Sequence, residues 1–395
     1  MNKKSIAIFD LSITADSPAG SCILQLIKNL AHEYKFIVFA DRFENPDPKR
    51  VVWVRIPLPN RPVILRYIAF KYLAPLYYQR FIKRQQQKPD LVIATEGEFA
   101  KCDICYVHFC HRAYLKKQVF KLTSLRAIAR FFNHQFNARA EAEATSQATT
   151  IVVPSSGLAH ELFQTYGSAL TGEIKTIPNP LDIQHFTKPA AYDTDNLRHQ
   201  LGFTPKDIVL MFAALGDFER KGLNLILQSL SNLDIPQVKL LVVGGSDSEV
   251  SEYRDICKQL SISQQVNFLG FQSDIRPYLW LSDLFALPSA YETFSLVAYQ
   301  AAIAGLPVMA TQLHGVEEFL KPGINGWLIE RSEDSITKTL QEVVKRQTDL
   351  KDMGIQAHAT ASQYDIPLFV QHWQRLLSAL LKRDSKPAPT HSIAA

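Results

Sequence analysis

The sequence predicts an α/β protein made of two Rossmann-like, doubly wound parallel-sheet domains in tandem. Three observations carry this. Residues 5–40 read strand, loop, helix, strand, the opening of a doubly wound sheet. The proline-rich exit Ile177-Pro178-Asn179-Pro180 is followed, at Asp207 to Ala214, by a fresh first strand, after which the pattern runs a second time. Within that second run the apolar strand Leu284-Phe285-Ala286-Leu287 enters a tight loop, Pro288-Ser289-Ala290-Tyr291-Glu292-Thr293-Phe294-Ser295, and then a helical run from Leu296 to Ala304. Such a loop lies at the carboxyl edge of a parallel sheet, where open α/β sheets bind ligands. The helix start behind it offers free N–H groups and a partial positive charge, so a phosphate suits it.

Composition bounds the function. A chain of 395 residues, 47% hydrophobic and 21% charged, is globular and suits two domains of ordinary size. It contains no long uncharged apolar run, so a spanning helix is not expected. The start, Met1 to Phe9, has a basic edge but too short an apolar run for a signal peptide. Three of the five cysteines, Cys102, Cys105 and Cys110, lie beside His108 and His111, a composition that suits zinc. A strand over 102–107 would put Cys102 and Cys105 on opposite faces, beyond reach of one ion. The expectation is no metal, and a reducing compartment. The net charge of +5 is concentrated in residues 51–140, which favours an acidic partner.

Taken in order, residues 5–11 form a strand, 16–21 a loop, and Cys22 to Ala31 an amphipathic helix, with Gly20 where that helix begins. Gly20 either admits a ligand close to backbone or merely turns the chain. Lys35 to Ala40 and Val51 to Leu58 follow as strands. Val63 to Arg84 is an amphipathic, basic helix with interleaved aromatics. With the second basic stretch, it marks residues 61–84 and 115–132 as a candidate contact for an anionic membrane surface. The competing reading is a core helix with snorkelling basic side chains. No single-strand-binding motif accompanies the aromatics, so no nucleic acid is expected. Asp90 to Ala94 and Asp103 to Val107 are strands. His108 ends the second of them, at the ligand-binding rim, and His111 falls in the loop beyond. Residues 138–148 are helical, Thr150 to Ser155 a strand and turn, and Glu173 to Pro180 the last strand and exit. Residues 181–204 read as a linker with one short helix.

The second half gives strands at 207–214, 239–243, 266–270, 284–287 and from Pro307, a turn and strand over 323–329, and helices at 222–230, 250–260, 275–280, 296–304 and 335–345. The expected domains are 1–180 and 181–366, with a cleft between them where ligands favour domain junctions. A helix over 367–381 packs back on the first domain, and a polar tail over 382–395 stays disordered.

The second half resembles retaining glycosyltransferases of the GT-B fold, family 4. The resemblance rests on Arg220-Lys221-Gly222, Leu287 to Glu292, Ala304 to Val308, His314-Gly315-Val316-Glu317-Glu318 and Gly323-Ile324-Asn325-Gly326, in order across 205–330. The first half is similar more loosely, through Gly20 and His108. Gly216 to Gly222 looks most like the branch that adds hexoses to the lipopolysaccharide core. The resemblance implies donor binding to the second domain and acceptor binding to the first. Lys221 and Arg220 would face the donor diphosphate, and Glu292 the sugar hydroxyls; otherwise Glu292 caps the helix. His108 would bond the transferred sugar. A departing sugar leaves charge on the β-phosphate, which cations and the amides of Phe294, Ser295 and Leu296 would hold without a metal.

Four positions depart from the family pattern. Gln300 stands where a glutamate usually accepts the ribose hydroxyls; it keeps an acceptor oxygen and loses the charge. Gly216 stands near the place of an arginine, and Thr293 and Ser295 replace glycines. The leading reading is a metal-independent, retaining hexosyltransferase acting from a nucleotide sugar on a glycan or lipid-linked acceptor, cytoplasmic and peripheral on the inner face of the membrane. The alternative is a catalytically weak or inactive sugar- or surface-binding protein on the same fold, motivated by Gln300. A nucleotide-sugar epimerase lacks the acid/base set it would need.

Overall fold

The computed structural model describes residues 3–117 and 125–383. The chain divides into two units, one of residues 1–180 with 366–395, the other Leu181–Asp365. Each is built on a parallel sheet.

In the first unit the elements run β1 (Ser5–Phe9), α1 (Pro18–Leu30), β2 (Lys35–Ala40), β3 (Val52–Arg55), α2 (Val63–Gln85), β4 (Leu91–Thr95), β5 (Ile104–Tyr106), α3 (His111–Lys117), α4 (Leu125–Thr145), β6 (Thr150–Val153), α5 (Ser156–Tyr166) and β7 (Glu173–Thr176). The seven strands lie in the order β3-β2-β1-β4-β5-β6-β7. The central strands are apolar throughout because both faces are covered. Ile6 and Ile8 enter one core cluster, while Ala7 and Phe9 enter the other. Helix α1 starts where Ser17 accepts the Gly20 amide and Pro18 takes the first turn. Gly20 is required by packing: a Cβ there would lie 2.0 Å from the Ser12 carbonyl oxygen.

The second unit runs β8 (Ile208–Ala214), α6 (Leu223–Leu233), β9 (Val238–Gly244), α7 (Asp247–Gln259), β10 (Val266–Gly270), β11 (Leu284–Leu287), α8 (Leu296–Ile303), β12 (Val308–Thr311), β13 (Gly326–Ile329), α9 (Glu333–Lys345) and α10 (Leu350–Ala361), with shorter helical turns between. Its sheet order is β10-β9-β8-β11-β12-β13. Leu210 and Phe212 point into one cluster, Val209 and Met211 into the other. The stretch read as a linker carries two short helices, Ile183–Phe186 and Asp195–Gln200. Helix α10 was not expected from the sequence. Its interior Gly354 disguises it, and is there because a Cβ would lie 1.9 Å from the Gly305 carbonyl oxygen.

The chain then re-enters the first unit as α11 (Ile366–Arg383). Phe369, Trp373, Leu377 and Leu381 join the cluster of Ile6, Ile8, Ile23 and Ile27. Tyr34 and Ser378 are 3.4 Å apart through their hydroxyls, and Gln374 donates to Glu33 at 2.7 Å. The expected tail lies almost wholly outside the described residues. So does part of the basic stretch 115–132, Lys121 included. Among the described residues no helix is long and apolar enough to cross a membrane.

The cysteine geometry corrects one expectation. Strand β5 begins only at Ile104, so strand alternation does not run through Cys102. Cys102 and Cys105 share one core cluster with Cys110, and their thiols interact. All five cysteines are buried and free.

Candidate active site

The loop between β11 and α8 gathers the second unit's charged groups. The short helix Phe218–Lys221 ends at Gly222, with φ 83°. A Cβ on Gly222 would stand 2.3 Å from the Pro288 carbonyl oxygen, so only glycine lets this turn press against the loop. The contact is fixed by the Ala290 amide donating to the Arg220 carbonyl at 2.9 Å. As a result Lys221 Nζ forms an ion pair with Glu292 Oε1, both side chains being largely buried. Arg220 reaches the same oxygen at 3.6 Å, donates to the Tyr291 carbonyl at 2.7 Å, and is held by Asp217 at 2.8 Å. Two cations therefore converge on the Glu292 carboxylate, 71 residues on from Lys221.

Helix α8 begins immediately beyond. Its N-cap, Ser295, has left-handed backbone at φ 61° and makes no side-chain cap. Its Oγ is buried and unpartnered. This is a costly conformation for a residue with a Cβ, and it turns the helix start without covering it. Phe294 contributes backbone only: its ring is buried and stacks on Tyr299 at 4.3 Å. Gly315 is packed against it, a Cβ there lying 2.6 Å from Phe294 Cα. Leu296 is the first helical residue, and Gln300 lies along the same helix, half-buried. Gly216 lies beside Glu249, whose Oε2 would be 3.2 Å from an added Cβ. That carboxylate also accepts the Phe218 amide at 3.0 Å, which organises the Arg220-Lys221 turn from behind.

In the first unit, titratable groups collect at the carboxyl ends of β1, β4 and β5. His108 follows β5, and its Nε2 is 3.2 Å from Asn179 Oδ1, which also accepts from Tyr106 at 3.1 Å. The two donors assign the proton to Nε2 and leave Nδ1 a bare, buried acceptor. Burial pulls the His108 pKa down to about 4, against the Asn179 hydrogen bond, so the ring is neutral at pH 7. Asp10, just past β1, is pushed up to about 6 by burial. Glu98 is raised well above the usual carboxylate range by burial and then by Asp10. Thr95 donates to Asp10 at 2.8 Å, and the Leu11 amide donates to Glu98 at 2.8 Å. A second group, Glu96, His111 and Glu141, presents ligand atoms all within 4.8 Å of one another.

Two family models match, together taking in most of the chain. "Glycosyltransferase Family 4" covers residues 19–185, and "Glycosyl transferases group 1" covers 193–360. The chain has the GT-B fold, and each half matches a glycosyltransferase family. An uncharacterised glycosyltransferase of Methanocaldococcus jannaschii is 26% identical over 204 residues, 51% of this chain and 52% of that protein. The lipopolysaccharide core biosynthesis glycosyltransferase LpsE of Rhizobium meliloti is 27% identical over 142 residues, 36% of this chain and 41% of that protein. The chain thus spans about half the length of the curated relatives it matches. The fold likeness extends over the whole chain. Sucrose-phosphate synthase of Thermosynechococcus elongatus has a TM-score of 0.76 at 18% identity, covering 96% of this chain and 100% of the other. HepE of Anabaena, solved with UDP-glucose, has 0.72 at 20% identity, covering 95% and 99%.

Within this GT-B chain the structure groups Arg220, Lys221, Glu292, Ser295 and Leu296 in the second unit and places Gly20 and His108 in the first. Sequence reasoning missed Asp10, Glu96, Glu98 and Glu141. The first three follow strands β1 and β4 directly, which was a usable signal. Glu141 sits in mid-helix and gave none.

Proposed function

We propose that this chain transfers a hexose from a nucleoside-diphosphate sugar to a glycan or lipid-linked acceptor, with retention and with no metal at the diphosphate. One observation carries the reading: Lys221, Arg220 and Glu292 converge beside a helix start that no side chain caps. An incoming diphosphate would take Lys221 and Arg220 from Glu292, and the freed carboxylate would accept sugar hydroxyls. The amides at Ser295 and Leu296 would face the leaving phosphate as its charge develops. Neutral His108, with Nδ1 bare, would accept a hydroxyl of the transferred sugar rather than pair with phosphate. The acceptor would be held by the first unit, and the enzyme would work on the cytoplasmic membrane face. HepE, a fold neighbour solved with UDP-glucose, makes UDP sugars the first donors to try.

The test is a panel of nucleotide sugars read by thermal shift, donor hydrolysis and transfer, with the anomeric configuration of the product read by NMR. Lys221→Ala and Glu292→Ala should each lower turnover by roughly 10²-fold, as when one charge-stabilising group is lost. Wild-type turnover in both removes the site. Gln300 favours a second reading, a binding protein; donor binding without hydrolysis or transfer by the wild type would establish it.

A further inference from the structure

Two carboxylates lie together in the first unit, and among the described residues no cation is bonded to either. Glu96 stands just past β4 with left-handed backbone, φ 49°. Its neighbour Gly97 lets the loop touch the backbone of α4: a Cβ there would lie 2.2 Å from Ala140 C and 2.4 Å from the Glu141 amide nitrogen. This contact seats Glu96 beside Glu141. Glu96 Oε1 accepts the His108 amide at 2.9 Å, and Oε2 is buried with no hydrogen bond. Glu141 is fully buried and takes the His111 amide at 2.8 Å on Oε2 and the Tyr166 hydroxyl at 2.6 Å on Oε1. His111 places Nδ1 2.9 Å from His134 Nδ1, so one of the two ring nitrogens lacks a proton. The Arg112 guanidinium stacks over the Tyr166 ring at 4.7 Å.

A pair of buried carboxylates is costly unless a proton or a cation joins them. One imidazole nitrogen and two carboxylates form a donor set suited to zinc, more than to calcium or magnesium, which prefer all-oxygen shells. The Cys110 thiol faces Glu141 from the same loop.

We propose that Glu96, His111 and Glu141 bind one divalent transition-metal ion, of which Zn²⁺ fits the donors best. The ion ties the loop after β4 and the start of α3 to α4. Because Glu96 also takes the His108 amide, the bound ion fixes the loop that carries His108. The site is separate from the donor-phosphate residues, all of which belong to the other unit. It therefore stands or falls independently of the transfer reaction.

The experiment uses the full chain, stripped with a chelator and titrated with Zn²⁺ by calorimetry, with bound metal counted by elemental analysis. One Zn²⁺ per chain is expected, with a rise in the thermal midpoint, and Co²⁺ in its place should give visible d–d absorption. Glu96→Gln is nearly isosteric and keeps an acceptor for the His108 amide; it should weaken Zn²⁺ binding by at least about tenfold, since even outer-sphere partners are worth that much. His111→Ala should do the same. Glu143→Gln, at an exposed carboxylate on α4 paired with Lys71, should leave binding unchanged. Failure of the stripped wild type to take up stoichiometric Zn²⁺ on titration overturns the site. So does wild-type affinity in Glu96→Gln, or a Glu96→Gln protein that is stabilised while the wild type binds no metal, which would assign a shared proton instead.

Discussion

Asp10 shows how a single side chain sets a pH dependence. It accepts the Ser12 amide at 2.8 Å and the Thr95 hydroxyl, and it faces Glu98, Glu96, Cys22 and Tyr67. None of these is a cation. Its folded pKa is raised from 3.8 to about 6 by burial. The stability this gives is fully present below pH 3.8 and is lost as pH rises through 6. Above that the protein carries a buried charge costing on the order of 3 kcal/mol. Asp10→Asn should therefore stabilise the first unit at pH 8 and do little at pH 4. Urea unfolding at the two pH values measures this, and an equal effect at both would show the charge is not the cause. Ser295 is a second residue-scale case. The sequence marked it as a departure from glycine, but only the structure shows that it adopts glycine's backbone with its hydroxyl unpartnered.

At the scale of elements, α2 has two faces. Phe70 and Ala74 are buried, whereas Val63, Leu65, Tyr72 and Leu76 are exposed, Tyr72 at 68%. The helix has no acidic residue, and it ends in Arg80, Lys83 and Arg84. An exposed apolar row among cations suits the headgroup region of an anionic bilayer. The chain should float with vesicles containing phosphatidylserine or phosphatidylglycerol and be released by salt. Replacing Leu65, Tyr72 and Leu76 by Ser should abolish flotation; salt-insensitive flotation, or none by the wild type, would retire the surface. Elements were the most legible level of the sequence. Buried parallel strands such as Phe36 to Ala40 and Ile208 to Ala213 read directly as apolar runs. Helix α10 was hidden by Gly354, whose role is contact with Gly305 and not chain flexibility. The Glu96, His111 and Glu141 group was illegible for a related reason. Its members are distant in sequence and meet because Gly97 lets a loop approach a helix backbone. The Lys221 and Glu292 pair could be anticipated only through family resemblance, since no local pattern joins two loops 71 residues apart.

At the scale of the whole molecule, the first unit is closed by the last helix of the chain. Phe369, Trp373, Leu377 and Leu381 bury against β1 and α1. Each large apolar side chain so buried contributes about 1.5–3 kcal/mol. Their joint loss, on the order of 6–12 kcal/mol, rivals the stability of a typical domain. A chain ending at Asp365 should lose protection from hydrogen exchange across β1, β2 and α1. Residues 181–365, which hold both clusters of the second unit, should keep theirs. Undiminished protection in β1 would mean that the helix is dispensable.

That same threading sets an order of events during synthesis. The ribosome emits the whole of residues 181–365 before it releases α11, so the second unit has every residue it needs while the first still lacks Trp373. Domains fold as their sequence emerges. The unit begun second is thus the one able to finish first. The first unit's sheet keeps one apolar face incompletely covered until α11 has been made.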